Sequence, residues 1–161
     1  MYRIGVITAS DKGAKGERID LSGQVIKETV TSLGKVVAYE IVADEQKELE
    51  KMLIRMCDED RCDLVLTTGG TGFAKRDVTP EATKAVINRE VPGIAEVIRS
   101  QSYKITPRAM LSRGVAGLRG ESLIINLPGS PKAVKESLEI ILSSLEHGLA
   151  ILKGSASECA R

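Results

Sequence analysis

The chain has 161 residues, 28% of them charged, a formal net charge of +1 and only four aromatic side chains, three Tyr and one Phe. That length suits one domain able to bury a core without disulfides or a structural metal. A near-neutral balance provides no field to gather nucleic acid, and so few aromatics leave little on which single-stranded bases could stack.

The first ten residues, MYRIGVITAS, have the length of a strand and no signal-peptide architecture, and no later run approaches the ~20 apolar residues of a membrane span. The protein is therefore expected to stay in the cytoplasm and off the membrane. Residues 3–10 read as a buried strand, followed by a polar, Gly-containing loop to residue 20. Residues 21–34 place Val25, Ile26, Thr29, Val30 and Leu33 on one helical face, with Gly34 as the C-cap. A second strand over 35–44, a helix over 45–60 with Leu49, Met52, Leu53 and Met56 at helical spacing, and a third strand over 62–70 complete a β-α-β-α-β run. Such a run predicts parallel strands joined by right-handed crossovers.

Proline then marks four helix starts, at Pro80, Pro92, Pro107 and Pro131, with Thr79, Thr106 and Ser130 in position to cap three of them. Residues 115–130 read as two strands joined by a tight turn at 119–121. The second and more apolar is taken as parallel to the first three strands, and the first as its antiparallel neighbour at an edge. A last helix from Pro131 covers a sheet face through Val134, Leu138, Ile141, Leu142 and Leu145. The fold class expected is α/β, a three-layer α/β/α sandwich with a mostly parallel sheet and one antiparallel edge strand. No linker or repeat divides the chain, so residues 1–161 read as one domain. Cys57, Cys62 and Cys159 lack metal-site spacing and read as reduced structural thiols. His147, late in the last helix, reads as structural or exposed.

In a sheet of this class ligands sit outside the carboxyl ends of the strands. That rule gathers Thr8 to Asp11, Asp44, the stretch TTGGTG through Asp77, and PGSPK (128–132). Glycine-rich loops beside helix N-termini can bind anions through backbone N–H groups. The loop is not a P-loop, because counting from Gly69 places Ala74, Lys75 and Arg76 where Gly-Lys-Ser/Thr is required. Nor is it the dinucleotide fingerprint, because the third glycine counted from Gly70 is Lys75. Taken alone it is phosphate-tolerant or simply a tight turn. Asp44 alone reads equally as a cap of the helix that follows, and Asp77 as a turn residue or a partner of Arg76. Together, in one crevice lined with anion donors, the two carboxylates point to Mg²⁺ held between acid and phosphate. The loop cations Lys12, Lys15, Arg18, Lys75, Arg76, Arg108 and Arg113 read by default as solvated charge.

The block TTGGTG-x₃-RDVTPEAT (67–83), with DEQ at 44–46 and LSRG…INLPGSPKA over 111–133, closely resembles the molybdopterin adenylyltransferase family of molybdenum cofactor biosynthesis, whose fold also occurs in gephyrin-type fusions. The likeness runs over nearly the whole chain. It implies a homotrimer that binds molybdopterin, uses MgATP to attach AMP to it, and contacts the molybdenum insertion protein. By the resemblance, Asp44 and Asp77 are the catalytic acids and Mg²⁺ ligands; Gly69, Gly70, Thr71 and Gly72, with Gly129 and Ser130, hold nucleotide phosphates; and Ser10, Asp11, Ser112 and Arg113 line the molybdopterin pocket. A same-fold paralogue that binds molybdopterin without adenylating it, and a non-catalytic oligomeric scaffold, are the alternative readings.

Overall fold

A computed structural model describes residues 1–155, so Cys159 lies outside the described residues. Six strands form one sheet: β1 (Tyr2–Ala9), β2 (Gly34–Val42), β3 (Leu64–Thr68), β4 (Arg89–Glu90), β5 (Ala116–Arg119) and β6 (Ser122–Leu127), in the spatial order β2-β1-β3-β6-β5-β4. β1, β2, β3 and β6 are parallel, and β5 runs antiparallel to β6, as the hairpin reading requires. Outboard of β5 lies β4, which pairs antiparallel with it. Two residues carry no readable alternation, which is why the sequence pattern does not announce that strand. The helices are α1 (Asp11–Ala14), α2 (Leu21–Thr29), α3 (Gln46–Ile54), α4 (Thr79–Val86), α5 (Pro92–Tyr103) and α6 (Pro131–Leu152).

Alternation along the strands splits the core in two. Ile4, Val6, Leu64, Leu66, Leu123 and Ile125 meet Ile26 of α2, Ile98 of α5, and Val134, Leu138, Ile141 and Leu145 of α6. Ile7, Val65 and Ile124 join the other cluster, with Leu49 and Leu53 of α3 and Ala82 and Val86 of α4. Helices therefore cover both faces, giving the three layers expected. β3 and β6 are buried at every position, as strands of a sheet covered on both sides must be. Each fully buried Ile or Leu contributes roughly 1.5–3 kcal/mol over its exposed state.

Several local expectations are corrected. Gly34 does not cap α2: that helix ends at Thr29, a 3₁₀ turn spans Val30–Ser32, and Gly34 opens β2, where a Cβ would collide with Tyr2 O. The helix expected over 45–60 is α-helical only to Ile54, then widens to a π turn over Arg55–Glu59 before Arg61, at φ +53°, reverses the chain. Of the three hydroxyls placed to cap, only Ser130 does so, its Oγ accepting from Ala133 N–H at 3.2 Å. Thr79 lies inside α4, and Thr106 makes no capping bond ahead of the 3₁₀ turn Pro107–Leu111. Cys57 and Cys62 are free and buried; burial pushes their thiols up to about 11 and about 12, which leaves both unreactive at neutral pH. Among the described residues no helix is long and apolar enough to cross a membrane.

Register positions the site. Thr8 pairs with Thr68, Thr68 with Leu127, and Ala9 with Val42. The segments leaving β1, β2, β3 and β6 therefore depart at one rim. Strand order reverses between β1 and β3, and a crevice opens at that switch point.

Candidate active site

The crevice is a cleft of about 600 Å³ whose lining includes Ser10, Asp44, Gly69, Gly70, Asp77 and Gly129. These are six of the residues singled out from the sequence. Thr71, Gly72 and Ser112 instead line a separate, smaller depression of about 290 Å³ shared with Arg99, Arg108 and Ser137. The Gly-rich loop is thus a wall between two hollows. Ser130 sits just beyond, as the cap of α6. His147 is exposed on that helix and belongs to neither hollow.

The loop owes its shape to its neighbours. Four successive carbonyls, those of residues 69–72, accept from two residues outside it. Thr79 Oγ1 donates to Gly69 O at 2.9 Å and Thr79 N–H to Gly70 O at 3.2 Å; Arg113 N–H donates to Thr71 O at 2.9 Å and Arg113 Nε to Gly72 O at 2.8 Å. Gly69 and Gly70 stand at φ +89° and +69°. A Cβ on Gly69 would come within 2.5 Å of Ala9 O, and one on Gly70 would collide with Thr79 Oγ1. Glycine is required here because the turn is left-handed and packed from behind, a stronger constraint than room for a ligand in front.

Arg113, expected to line the pterin pocket, lines neither hollow. Besides its two bonds to the loop, its Nη2 donates to Asp77 O at 2.7 Å and its Nη1 pairs with Glu81 on α4. It is a strut that joins the Gly-rich loop, the segment bearing Asp77 and α4.

Asp44 does not cap α3, for Glu45 holds that position. Its Oδ2 accepts from Asp11 N–H at 3.0 Å, and its own N–H donates to Asp11 Oδ1 at 3.0 Å. Burial, and after it the charges of Asp11 and Asp77, push the Asp44 carboxyl above the ordinary aspartate range, against the bond from Asp11 N–H. Asp77 is not paired with Arg76; its Oδ2 accepts from Ala74 N–H at 3.0 Å. Arg76 reaches instead to Asp11, with Nε to Oδ2 at 2.6 Å and Nη2 to Oδ1 at 2.9 Å, and to Glu45 Oε1 at 2.9 Å. That guanidinium holds the Asp11 carboxyl below its usual range. Both oxygens of Asp11 are thereby committed to protein donors.

The arrangement suits a hard cation. Two carboxylates face one cleft, each with one oxygen fixed by a backbone N–H, and one of them is destabilised in its charged form by the other. Among the described residues no group of three or more His, Cys, Asp or Glu is placed to hold a metal. A two-acid site matches Mg²⁺, which keeps most of its waters and completes its shell with phosphate oxygens.

Asp20 is a cleft residue the sequence reading passes over. It caps α2, accepting from Gly23 N–H at 2.9 Å, and its Oδ2 also accepts from Thr8 Oγ1 at 2.6 Å and Tyr39 OH at 2.5 Å. Burial, and then Asp20, push the Tyr39 phenol upward. An Asp at the border of a polar loop and a helix is a readable capping signal; its ties to β1 and β2 are tertiary and are not. Arg18 and Ser22 also line the cleft.

Comparison with known proteins identifies the family and the fold. The family described as a probable molybdopterin binding domain matches residues 5–147. A molybdopterin adenylyltransferase of Helicobacter pylori strain J99 is 50% identical over 155 residues, covering 94% of this chain and 88% of that protein. Gephyrin of Dictyostelium discoideum is 40% identical over 160 residues, covering 92% of this chain and 22% of that protein. The crystal structure of the molybdopterin biosynthesis enzyme MoaB from Thermus thermophilus superposes with a TM-score of 0.90 at 51% identity, covering 96% of this chain and 98% of that one.

Proposed function

The chain belongs to the family of probable molybdopterin binding domains, and from that premise we propose that it is a molybdopterin adenylyltransferase, a nucleotidyltransferase of molybdenum cofactor biosynthesis. The observation that carries this reading is the placement of Asp44 and Asp77 in one cleft with Gly69 and Gly70, whose carbonyls are engaged from behind. Backbone N–H groups of such a Gly-rich loop can bind a phosphate. Molybdopterin and ATP are the substrates. An oxygen of the terminal phosphate of molybdopterin attacks the α-phosphorus of ATP, a new P–O–P link forms, the bond from the α-phosphorus to the bridging oxygen breaks, and pyrophosphate leaves.

No protein nucleophile is required. The attacking phosphate is already ionised near neutral pH, so no general base is needed either. Asp44 and Asp77 would hold Mg²⁺, which supplies charge neutralisation on the phosphates when bound. The chain's own contribution is positioning: Thr79 and Arg113 keep the loop rigid, Ser10 and Gly129 flank the cleft, and Arg18 brings positive charge to its lining. The smaller hollow with Thr71, Gly72 and Ser112 lies across the loop and is assigned to the pterin end of the substrate. We read residues 1–161 as one such domain, acting in the cytoplasm, and, as the resemblance implies, as a homotrimer in contact with the molybdenum insertion protein. The test is mass spectrometry of molybdopterin incubated with MgATP and the purified protein. A product heavier by one AMP is expected; tight molybdopterin binding without that product would assign the chain to the non-adenylating paralogues.

A further inference from the structure

Arg76 is exposed, with 54% of its side chain accessible, yet it makes three bonds to carboxylates on two other segments, Asp11 at the start of α1 and Glu45 before α3. An exposed ion pair of this kind contributes about 0–1 kcal/mol to stability, too little to explain so committed a geometry. Its connections suggest another use. Arg76 directly precedes Asp77 in the chain. Its guanidinium grips both oxygens of Asp11, and Asp11 forms with Asp44 the reciprocal pair of backbone-to-carboxylate bonds, each 3.0 Å. A continuous chain of contacts therefore runs from the segment bearing Asp77, through Arg76 and Asp11, to Asp44. The second contact, to Glu45, grips the residue after Asp44 as well. Its Nε and Nη2 are thus directed at Asp11 and Glu45.

Resting on the reading of a Mg²⁺ between the two acids, we propose that Arg76 is a positioning residue which, through Asp11, sets where Asp44 and Asp77 stand relative to each other and so sets the affinity of the metal site. A planar guanidinium meets the two Asp11 oxygens with a rigid fork of N–H bonds; an ammonium is a point charge without that fork. Loss of the fork should therefore matter even where the positive charge is kept. Partners that orient metal ligands in this way typically affect metal affinity by about 10–100-fold.

The experiment is an electron paramagnetic resonance titration with Mn²⁺ alone, on the wild type, Arg76→Lys, Arg76→Gln and Asp77→Asn, with thermal melts alongside. The wild type is expected to take up Mn²⁺ and Asp77→Asn to lose that uptake. Both Arg76 variants are expected to bind about tenfold or more weakly while melting close to the wild type. In turnover, raising Mg²⁺ should restore the rate of the Arg76 variants and leave Asp77→Asn inactive. Wild-type Mn²⁺ affinity in Arg76→Gln would overturn the positioning role while leaving the metal site standing. Absence of any Mn²⁺ uptake sensitive to Asp77 would overturn the metal reading, and this inference with it.

Discussion

At the scale of single residues, the site trades stability for chemistry. The Asp44 carboxyl is pushed above its ordinary range chiefly by burial, with the Asp11 and Asp77 charges adding to it. An acid whose value is raised on folding favours the folded state most when protonated. That contribution is fully present below the ordinary aspartate range and is lost as pH rises through the raised folded value. Asp44→Asn, which keeps an acceptor for Asp11 N–H, is thus expected to raise the melting temperature relative to the wild type at neutral pH. The gain should vanish as both are acidified below the ordinary aspartate range; a constant difference across the pH series would contradict the account. The loop glycines supply a second test. Gly70 and Gly120 both have positive φ, but only at Gly70 would a Cβ meet other atoms, since nothing lies within 4 Å at Gly120. Gly120→Ala is expected to cost about 1–2 kcal/mol for the left-handed conformation alone. Gly70→Ala is expected to cost more in urea unfolding and also to weaken ATP binding in calorimetry. Asp44 and Asp77 are legible in the sequence because a carboxylate after a strand and another after a Gly-rich loop share the rim of a parallel sheet. The roles of Arg113 and Arg76 are not, because their partners come from distant segments, Gly72 and Asp11 lying 41 and 65 positions away.

At the scale of elements, the strands and long helices follow their apolar periodicity, while the ends of elements follow local bonds that periodicity does not report. Four prolines mark four starts correctly, yet a hydroxyl before a proline caps only where its backbone lets Oγ reach the third N–H. Ser130 does so and Thr106 does not. Ser130→Ala is therefore expected to lower stability by about 1 kcal/mol, within the usual range for a lost N-cap. Thr106→Ala should change it little, and urea denaturation of the two variants side by side checks the contrast. Equal losses would show that the capping assignment does not govern stability there. The short strand β4, the π turn over Arg55–Glu59 and the early end of α2 escape a sequence reading for one shared reason. Each is a short departure from regular geometry, which an apolar pattern read over a longer window does not resolve.

At the scale of the whole molecule, the order β2-β1-β3-β6-β5-β4 does the functional work, because it opens a crevice at the one rim where four parallel strands end. Fold class and the place of the cleft are legible from the β-α-β-α-β run; the partition of the Gly-rich loop between two hollows is not. The central claim is that Asp44 and Asp77 serve adenylyl transfer to molybdopterin in that cleft. Its most direct test is pyrophosphate release from MgATP by the purified protein, with and without molybdopterin, for the wild type, Asp44→Asn and Asp77→Asn. The account predicts release only when molybdopterin is present, reduced roughly 100-fold or more in each variant while both remain folded. Release at the wild-type rate by either variant, or release indifferent to molybdopterin, would contradict it.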